Sequence, residues 1–196
     1  MCRVKLHDDA KAFGELVARW QKPIRDLCTR MTGDMHRGED LTQETFARLY
    51  SRRKNYEPTA KFSTFLWRVA LNLCHDELRR LRRRRECVLD DSEADESMVE
   101  VLTDVDSMPD RFTLECERAE AVRHALVEIG ESHREVVILR HYEGLKFREI
   151  AEVLGIPEGT VKSRMADALT QLNRILNPLL ADPPTTPERM NERMMI

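Results

Sequence analysis

The amino-acid sequence predicts an all-α protein: two helical domains joined by an acidic flexible linker. Three observations predict it. Glycine is sparse, at 7 in 196 residues, and aromatic residues make up 6% while charged residues make up 34%, a balance that favours helices over sheets. Apolar residues recur at helical spacing along each long stretch between turn signals. Charge is segregated: residues 1–85 carry 20 Lys and Arg against 11 Asp and Glu, residues 86–110 carry none against 10, and residues 111–196 carry 12 against 14, within a net charge of −3. A basic front, an acidic middle and a mixed back imply two domains and a linker.

Residues 8–31 read as helical, capped by Asp8 or Asp9, with an apolar stripe of Phe13, Leu16, Val17 and Trp20. Pro23 is expected to break or restart the helix, and Ile24, Leu27, Cys28 and Met31 continue it to Gly33. Glu39 and Asp40 are expected to open the next helix, LTQETFARLYSRR, whose inward face is Leu41, Thr45 (or Phe46) and Leu49. Its outward face is Asp40, Gln43, Glu44 and Arg48. Residues 55–61 form a loop by their Asn, Pro and Thr content.

The stretch FSTFLWRVALNLCHDELRRLRRRR follows, with Ser63 as the expected N-cap. Two apolar rows run along it: Phe62, Leu66, Val69, Leu73, and Trp67, Leu71, Cys74, Leu78, Leu81. A helix apolar over so much of its girth belongs at the centre of a bundle. One narrow row stays polar, Arg68, Asn72, His75 and Arg79, and leads into arginines at 79, 80, 82, 83, 84 and 85. Cations suit a helix C-terminus, but so many neighbours repel one another and imply a polyanionic partner.

Residues 86–110 read as a flexible acidic tether. About 27 extended residues between the domains would reach on the order of 80–90 Å. Helices resume at Phe112–Gly130, with Leu114, Ala121, Ala125, Leu126 and Ile129 apolar, and at Ser132–His141. Phe147, Ile150, Ala151 and Leu154 then give a short amphipathic helix, ended by Gly155 and turned by Ile156-Pro157. A last helix starts near Glu158, with Val161, Met165, Ala168, Leu172 and Ile175 inward. Two short helices joined by a tight glycine-containing turn form a helix-turn-helix, whose second helix enters the DNA major groove. Its outward residues Thr160, Lys162, Ser163 and Arg164 are small or basic, which suits phosphates and base edges. The tail after Asn177 has no period and is expected to be loose.

Several classes are disfavoured. No apolar run approaches membrane-spanning length, and the first residues lack the apolar middle of a secretion signal, so a cytoplasmic protein is expected. The five cysteines are scattered without a C-x-x-C pair, as reduced thiols would be. The adjacent His75-Asp76 matches a fragment of some phosphohydrolase metal sites, yet the other histidines show no ligand spacing. No cofactor, metal or catalytic residue is expected.

Three blocks carry a resemblance: DLTQETFARLY (40–50), FSTFLWRVALNLCHDELRR (62–80) and LRHYEGLKFREIAEVLGIPEGTVKSR (139–164). In this order they resemble the extracytoplasmic-function (ECF) sigma factors of bacterial RNA polymerase. The resemblance implies a region 2-like domain over 8–85, a linker over 86–111, a region 4-like helix-turn-helix domain over 112–177 and a loose tail over 178–196. It implies that Asp40, Gln43, Glu44 and Arg48 dock on the clamp helices of the largest polymerase subunit, while the flap region is a second contact. Tyr56, Lys61, Phe62, Ser63, Phe65, Arg68, Asn72, Arg79 and Arg80 would bind the −10 element and hold a flipped base. Extruding a base requires polar edges and aromatic walls, and this helix offers both.

Arg140, Glu158, Gly159, Thr160, Lys162, Ser163 and Arg164 would face the −35 element. Promoter DNA and core polymerase are the implied partners, with an anti-sigma factor as a further one. One departure stands out: Asp167 occupies a position that is usually basic in the family. The alternative reading is a stand-alone helix-turn-helix regulator, which shares the EIAEVLGI...GTVK pattern but would need a receiver or ligand domain in place of the basic front bundle.

Overall fold

The computed structural model describes residues 1–58, 61–91 and 111–180, which form eight α-helices. The first, α1 (Cys2–His7), has no periodicity of its own to betray it. It docks through Val4, which is fully buried, and Lys5 Nζ donates to the Tyr56 carbonyl at 2.7 Å. Asp9 caps α2 (Ala10–Thr32), its carboxylate accepting from Ala12 N at 2.9 Å. The expected break at Pro23 does not occur. The apolar stripe stays on one face across the proline, so packing outweighs one lost backbone bond.

The helix α3 (Met35–Ser51) also departs from expectation, beginning ahead of Glu39 and Asp40. Asp34, separated from the end of α2 by Gly33 alone, caps it by accepting from Arg37 N at 3.0 Å. Leu41, Thr45, Phe46 and Leu49 are all buried, so both residues left open at 45 and 46 face inward. Gly38 lies against α2 so closely that a Cβ there would sit 2.1 Å from Thr29 Oγ1. That close crossing sets the packing of the first two long helices.

A 3-10 turn at Arg53–Asn55 leads to α4 (Phe62–Asp91). Ser63 lies inside its first turn rather than at the cap, since the Lys61 carbonyl already accepts from Phe65 N at 3.3 Å. Leu66, Trp67, Ala70, Leu71, Leu73 and Cys74 are buried, which puts α4 at the centre of the bundle. The thiols of Cys74 and Cys28 meet there, and that hydrogen bond together with burial pushes the Cys74 thiol well up, away from the reactive thiolate.

In the back half, α5 (Arg111–Glu128) is followed by α6 (Glu131–Val137). The expected helix to His141 instead ends in a π turn, Ile138–Tyr142, closed by Glu143 N donating to Ile138 O at 3.2 Å. This wider turn leaves Ile138 and Leu139 fully buried while Arg140, His141 and Tyr142 reach the surface. Then come α7 (Phe147–Leu154) and α8 (Glu158–Leu180). The last helix runs past Asn177 and through Pro178, where a missing bond near a solvated helix end costs little. The expected loose tail otherwise falls on 181–196, outside the described residues, as does most of the tether at 92–110.

One buried apolar cluster runs without interruption from α2, α3 and α4 into α6, the π turn, α7 and α8. A smaller cluster of Leu126, Ile129, Val137 and Ala168 holds α5 against α6 and α8. The two domains therefore pack directly on one another.

Candidate nucleic-acid interface

Arg68, Asn72, His75, Arg79 and Arg82 follow one another at spacings of four and three, so α4 presents them on one side over about 21 Å. Arg68, Asn72, Arg79 and Arg82 are exposed and His75 is half-buried, as the polar row predicts. Lys61 stands at the start of the helix. Most of these groups meet oxygens of the back domain. Lys61 Nζ lies 2.9 Å from Glu149 Oε1, and this bond raises the lysine pKa. Arg68 donates to the carbonyls of Val153 (3.2 Å) and Glu152 (2.5 Å) at the end of α7. His75 Nε2 lies 3.0 Å from Glu135 Oε2, and Arg82 pairs with Glu131. Arg79 and Arg80 stay within α4, paired with Asp76 at 3.6 Å and Glu77 at 2.8 Å. His75 and Asp76 thus turn to different partners, Glu135 and Arg79, and no group of three or more metal-ligating side chains occurs among the described residues.

Beside the row lies an aromatic cluster. The Tyr56 ring is buried, 5.4 Å from Phe65 and 6.2 Å from Phe62, and Trp20 meets Phe62 and Trp67 edge-on. Tyr56 therefore backs the half-buried Phe62 and Phe65 rather than standing at the surface. Ser63 opens onto a cleft between the domains, shared with Trp20, Trp67, Glu143, Gly144 and Leu145. Burial there pushes the Glu143 carboxyl up to about 6.

On the far side of the front bundle, α3 turns Asp40, Gln43, Glu44 and Arg48 outward. Its opposite face is anchored by buried Leu41, Thr42, Thr45, Phe46 and Leu49. Arg48 Nε donates to Glu44 Oε1 at 2.7 Å, an exposed i,i+4 pair that contributes little to stability. The face is free for another use.

In the back domain, Glu149 caps α7 by accepting from Lys146 N at 3.0 Å. Gly155 ends α7 at φ +68°, in the left-handed region, with its N–H bonded to Ala151 O at 2.9 Å. The turn seats α8 with Val161 and Ala168 fully buried, and so directs Glu158, Gly159, Lys162 and Ser163 to solvent. Thr160 is half-buried, and Lys162 pairs with Glu158 at 2.8 Å. Arg140 stacks over Phe147 at 5.0 Å and donates to the Leu145 carbonyl. Arg164 alone of this set points to the domain boundary, 3.2 Å from Glu135 Oε1. Asp167 is exposed on α8.

Four residues of the boundary were not singled out from sequence: Glu131, Arg134, Glu135 and Glu149. Arg134 is 5% exposed and donates to the carbonyls of Met31 on α2, of Val127 in the last turn of α5 and of Ile129 just after it. Desolvation lowers its pKa. A buried cation spending its donors on helix-end carbonyls has no local sequence signature. Only Glu149, three residues after a helix start, carried a signal, and that signal spoke of a cap.

Comparison with known proteins places two family models on the chain: Sigma-70 region 2 over residues 16–84 and Sigma-70 region 4 over residues 119–172. The ECF RNA polymerase sigma factor SigW of Bacillus subtilis is 30% identical over 174 residues, covering 87% of this chain and 92% of its own. The RNA polymerase sigma-H factor of Pseudomonas aeruginosa is 33% identical over 177 residues, covering 89% and 91%. Among solved structures, the sigma factor RpoE of Bartonella quintana in complex with the anti-sigma factor NepR matches with a TM-score of 0.64 at 21% identity, covering 86% of this chain and 98% of that one. CnrH in complex with the cytosolic domain of CnrY matches at 0.62 and 22%, covering 87% and 90%. At that identity the two structures speak for the fold.

Proposed function

The chain belongs to the ECF sigma factors of RNA polymerase, and we propose that it directs the core enzyme to promoters through the three faces just described. As a family member it is a transcription initiation factor and not an enzyme, with core RNA polymerase and promoter DNA as partners. No helix among the described residues is long and apolar enough to cross a membrane, and the cytoplasm is the proposed site of action.

The observation that carries this reading is the separation of three surfaces on one chain. Polar residues face outward on α3, a basic row beside aromatic rings runs along α4, and a helix-turn-helix is formed by α7 and α8. We assign polymerase docking to Asp40, Gln43, Glu44 and Arg48. The −10 element is assigned to the row from Lys61 to Arg80, with Phe62 and Phe65 as stacking walls for a flipped base. Arg140 and the outward side of α8, from Glu158 to Arg164, are assigned to the −35 element. Phosphate contacts from the arginines would position the duplex, while base contacts specify it. Melting then draws on the binding energy of extruded bases, and the polymerase makes the RNA. An anti-sigma protein is proposed as a further partner, in line with the complexes formed by the two similar structures.

In vitro transcription with core polymerase on genomic fragments tests the reading. Start sites that appear only when the chain is added are expected. DNA binding that never requires or recruits core enzyme would instead favour a stand-alone regulator.

A further inference from the structure

We propose that the short helix α1 is a positioning element for the −10 site: Lys5 and Asp8 fix the turn over residues 53–56 and, through Tyr56, the aromatic walls Phe62 and Phe65. The proposal rests on the assignment of those walls to a flipped base. The helix belongs to none of the three assigned faces and precedes the stretch matched as region 2. Yet Lys5 and Asp8 converge on the part of the front domain least able to hold itself. The turn is a three-residue 3-10 helix, closed by Asn55 N donating to Arg52 O at 3.0 Å and Tyr56 N to Arg53 O at 3.3 Å. Such a piece has poor hydrogen-bond geometry and needs outside support.

Two contacts supply that support. Lys5 Nζ donates to the Tyr56 carbonyl at 2.7 Å, and Arg53 donates to both oxygens of Asp8, from Nε at 2.5 Å and from Nη2 at 3.0 Å. Arg53 Nη1 also donates to the Tyr50 carbonyl at 3.0 Å, and the guanidinium lies over the Tyr50 ring. One arginine thus ties α1, the end of α3 and the turn together. Tyr56 carries the restraint onward, its ring buried against Phe65 and Phe62. The backbone of Asp8 points the same way. Its φ of +50° makes it the one non-glycine residue in the left-handed region among the described residues. Glycine would take that conformation without strain, so the carboxylate explains an aspartate there. Stability does not explain it, because a pair whose carboxylate is 58% exposed contributes little. What the bidentate contact supplies is geometry.

The test uses the full chain, alone and with core polymerase on a promoter where the wild-type chain initiates. Asp8→Gly relieves the backbone and removes the carboxylate, Lys5→Met keeps the stem and removes the donor, and Lys5→Arg keeps a donor. The first two should speed hydrogen exchange over residues 53–58 in the free chain. Neither should lower the thermal midpoint by more than about 4 °C, since exposed contacts contribute little. In transcription, the penalty for substituting a −10 base should shrink about tenfold in both, as when a tenth of the chains hold the turn in place. The penalty for substituting a −35 base should not change, and Lys5→Arg should behave as the wild type in both assays. Unchanged exchange, a −10 penalty of wild-type size, or equal shrinkage at −35 would overturn the proposal while leaving the sigma reading intact. A wild-type chain that never initiates with core polymerase would overturn both.

Discussion

His75 on α4 and Glu135 on α6 meet across the domain boundary, Nε2 to Oε2 at 3.0 Å, while Arg164 holds the other carboxylate oxygen at 3.2 Å. The hydrogen bond to Glu135 raises the His75 pKa against the opposing effect of burial, and Glu131 adds to the rise while Arg79 reduces it. Arg82 and Arg164 also line the site. A raised histidine pKa means that the pair stabilises the fold fully below about 6.5, the ordinary histidine value, and loses that contribution as pH climbs through the raised one. The thermal midpoint of the whole chain should fall across that window, and His75→Gln should flatten the fall. Identical pH profiles for the two proteins would show that the pair contributes nothing.

Glu143 makes a second, independent pH prediction. Its carboxyl is pushed up to about 6 by burial, with Arg30 3.9 Å away giving partial relief. Ionising it in the fold is unfavourable, so this site costs stability as pH rises from 4.5 to about 6. Glu143→Gln should remove that cost and raise unfolding free energy above pH 6 by up to about 2 kcal/mol. Denaturant melts on either side of that value would reveal it, and a destabilised variant at high pH would contradict it.

Asp40, Gln43 and Glu44 are exposed on a helix whose other face is anchored in the core. Replacing all three with alanine should abolish co-purification with core polymerase. Each exposed change should alter stability by no more than about 0.5 kcal/mol, leaving circular dichroism intact. Retained co-purification would remove α3 as the docking face.

Asn72 is exposed midway along the α4 row, so truncating it leaves no buried group unsatisfied. Asn72→Ala should slow open-complex formation on duplex promoters more than on templates already melted across the −10 element. Equal losses on the two templates would mean that the amide plays no part in strand opening.

Asp167 is exposed on α8 and repels phosphate. Asp167→Arg should tighten binding to any duplex and steepen the salt dependence by about one unit, as one added phosphate contact requires. If the carboxylate instead accepts from a cytosine amino group, the change would lose roughly 1–3 kcal/mol on the cognate element alone. Binding measured on cognate and random duplexes across a salt series separates the two.

Much of this molecule was legible in its sequence because amphipathic helices announce themselves by period. The α4 rows, the α3 outward face and the Gly155 turn all followed from spacing. A single local signal misleads where the surrounding packing outweighs it. Pro23 by itself signals a break, although the stripe around it packs on one core. Glu39 and Asp40 by themselves signal a helix start, although Asp34 already supplies the cap. The domain boundary was illegible for another reason. Lys61 and Glu149 are 88 residues apart, Arg82 and Glu131 49, and no period links such pairs.

The bond from Arg68 to Val153 spans 85 residues, and that span has a consequence during synthesis. Translation adds about 5–20 residues per second, with N-terminal domains folding first, so roughly 4–17 s separate the emergence of the arginine from that of its acceptor. For that interval the front domain leaves the ribosome with its cationic helix uncovered, in a compartment crowded with ribosomal and messenger RNA. The nascent chain is then at its most adhesive, and only completion of α7 gives the arginine a partner within its own polypeptide.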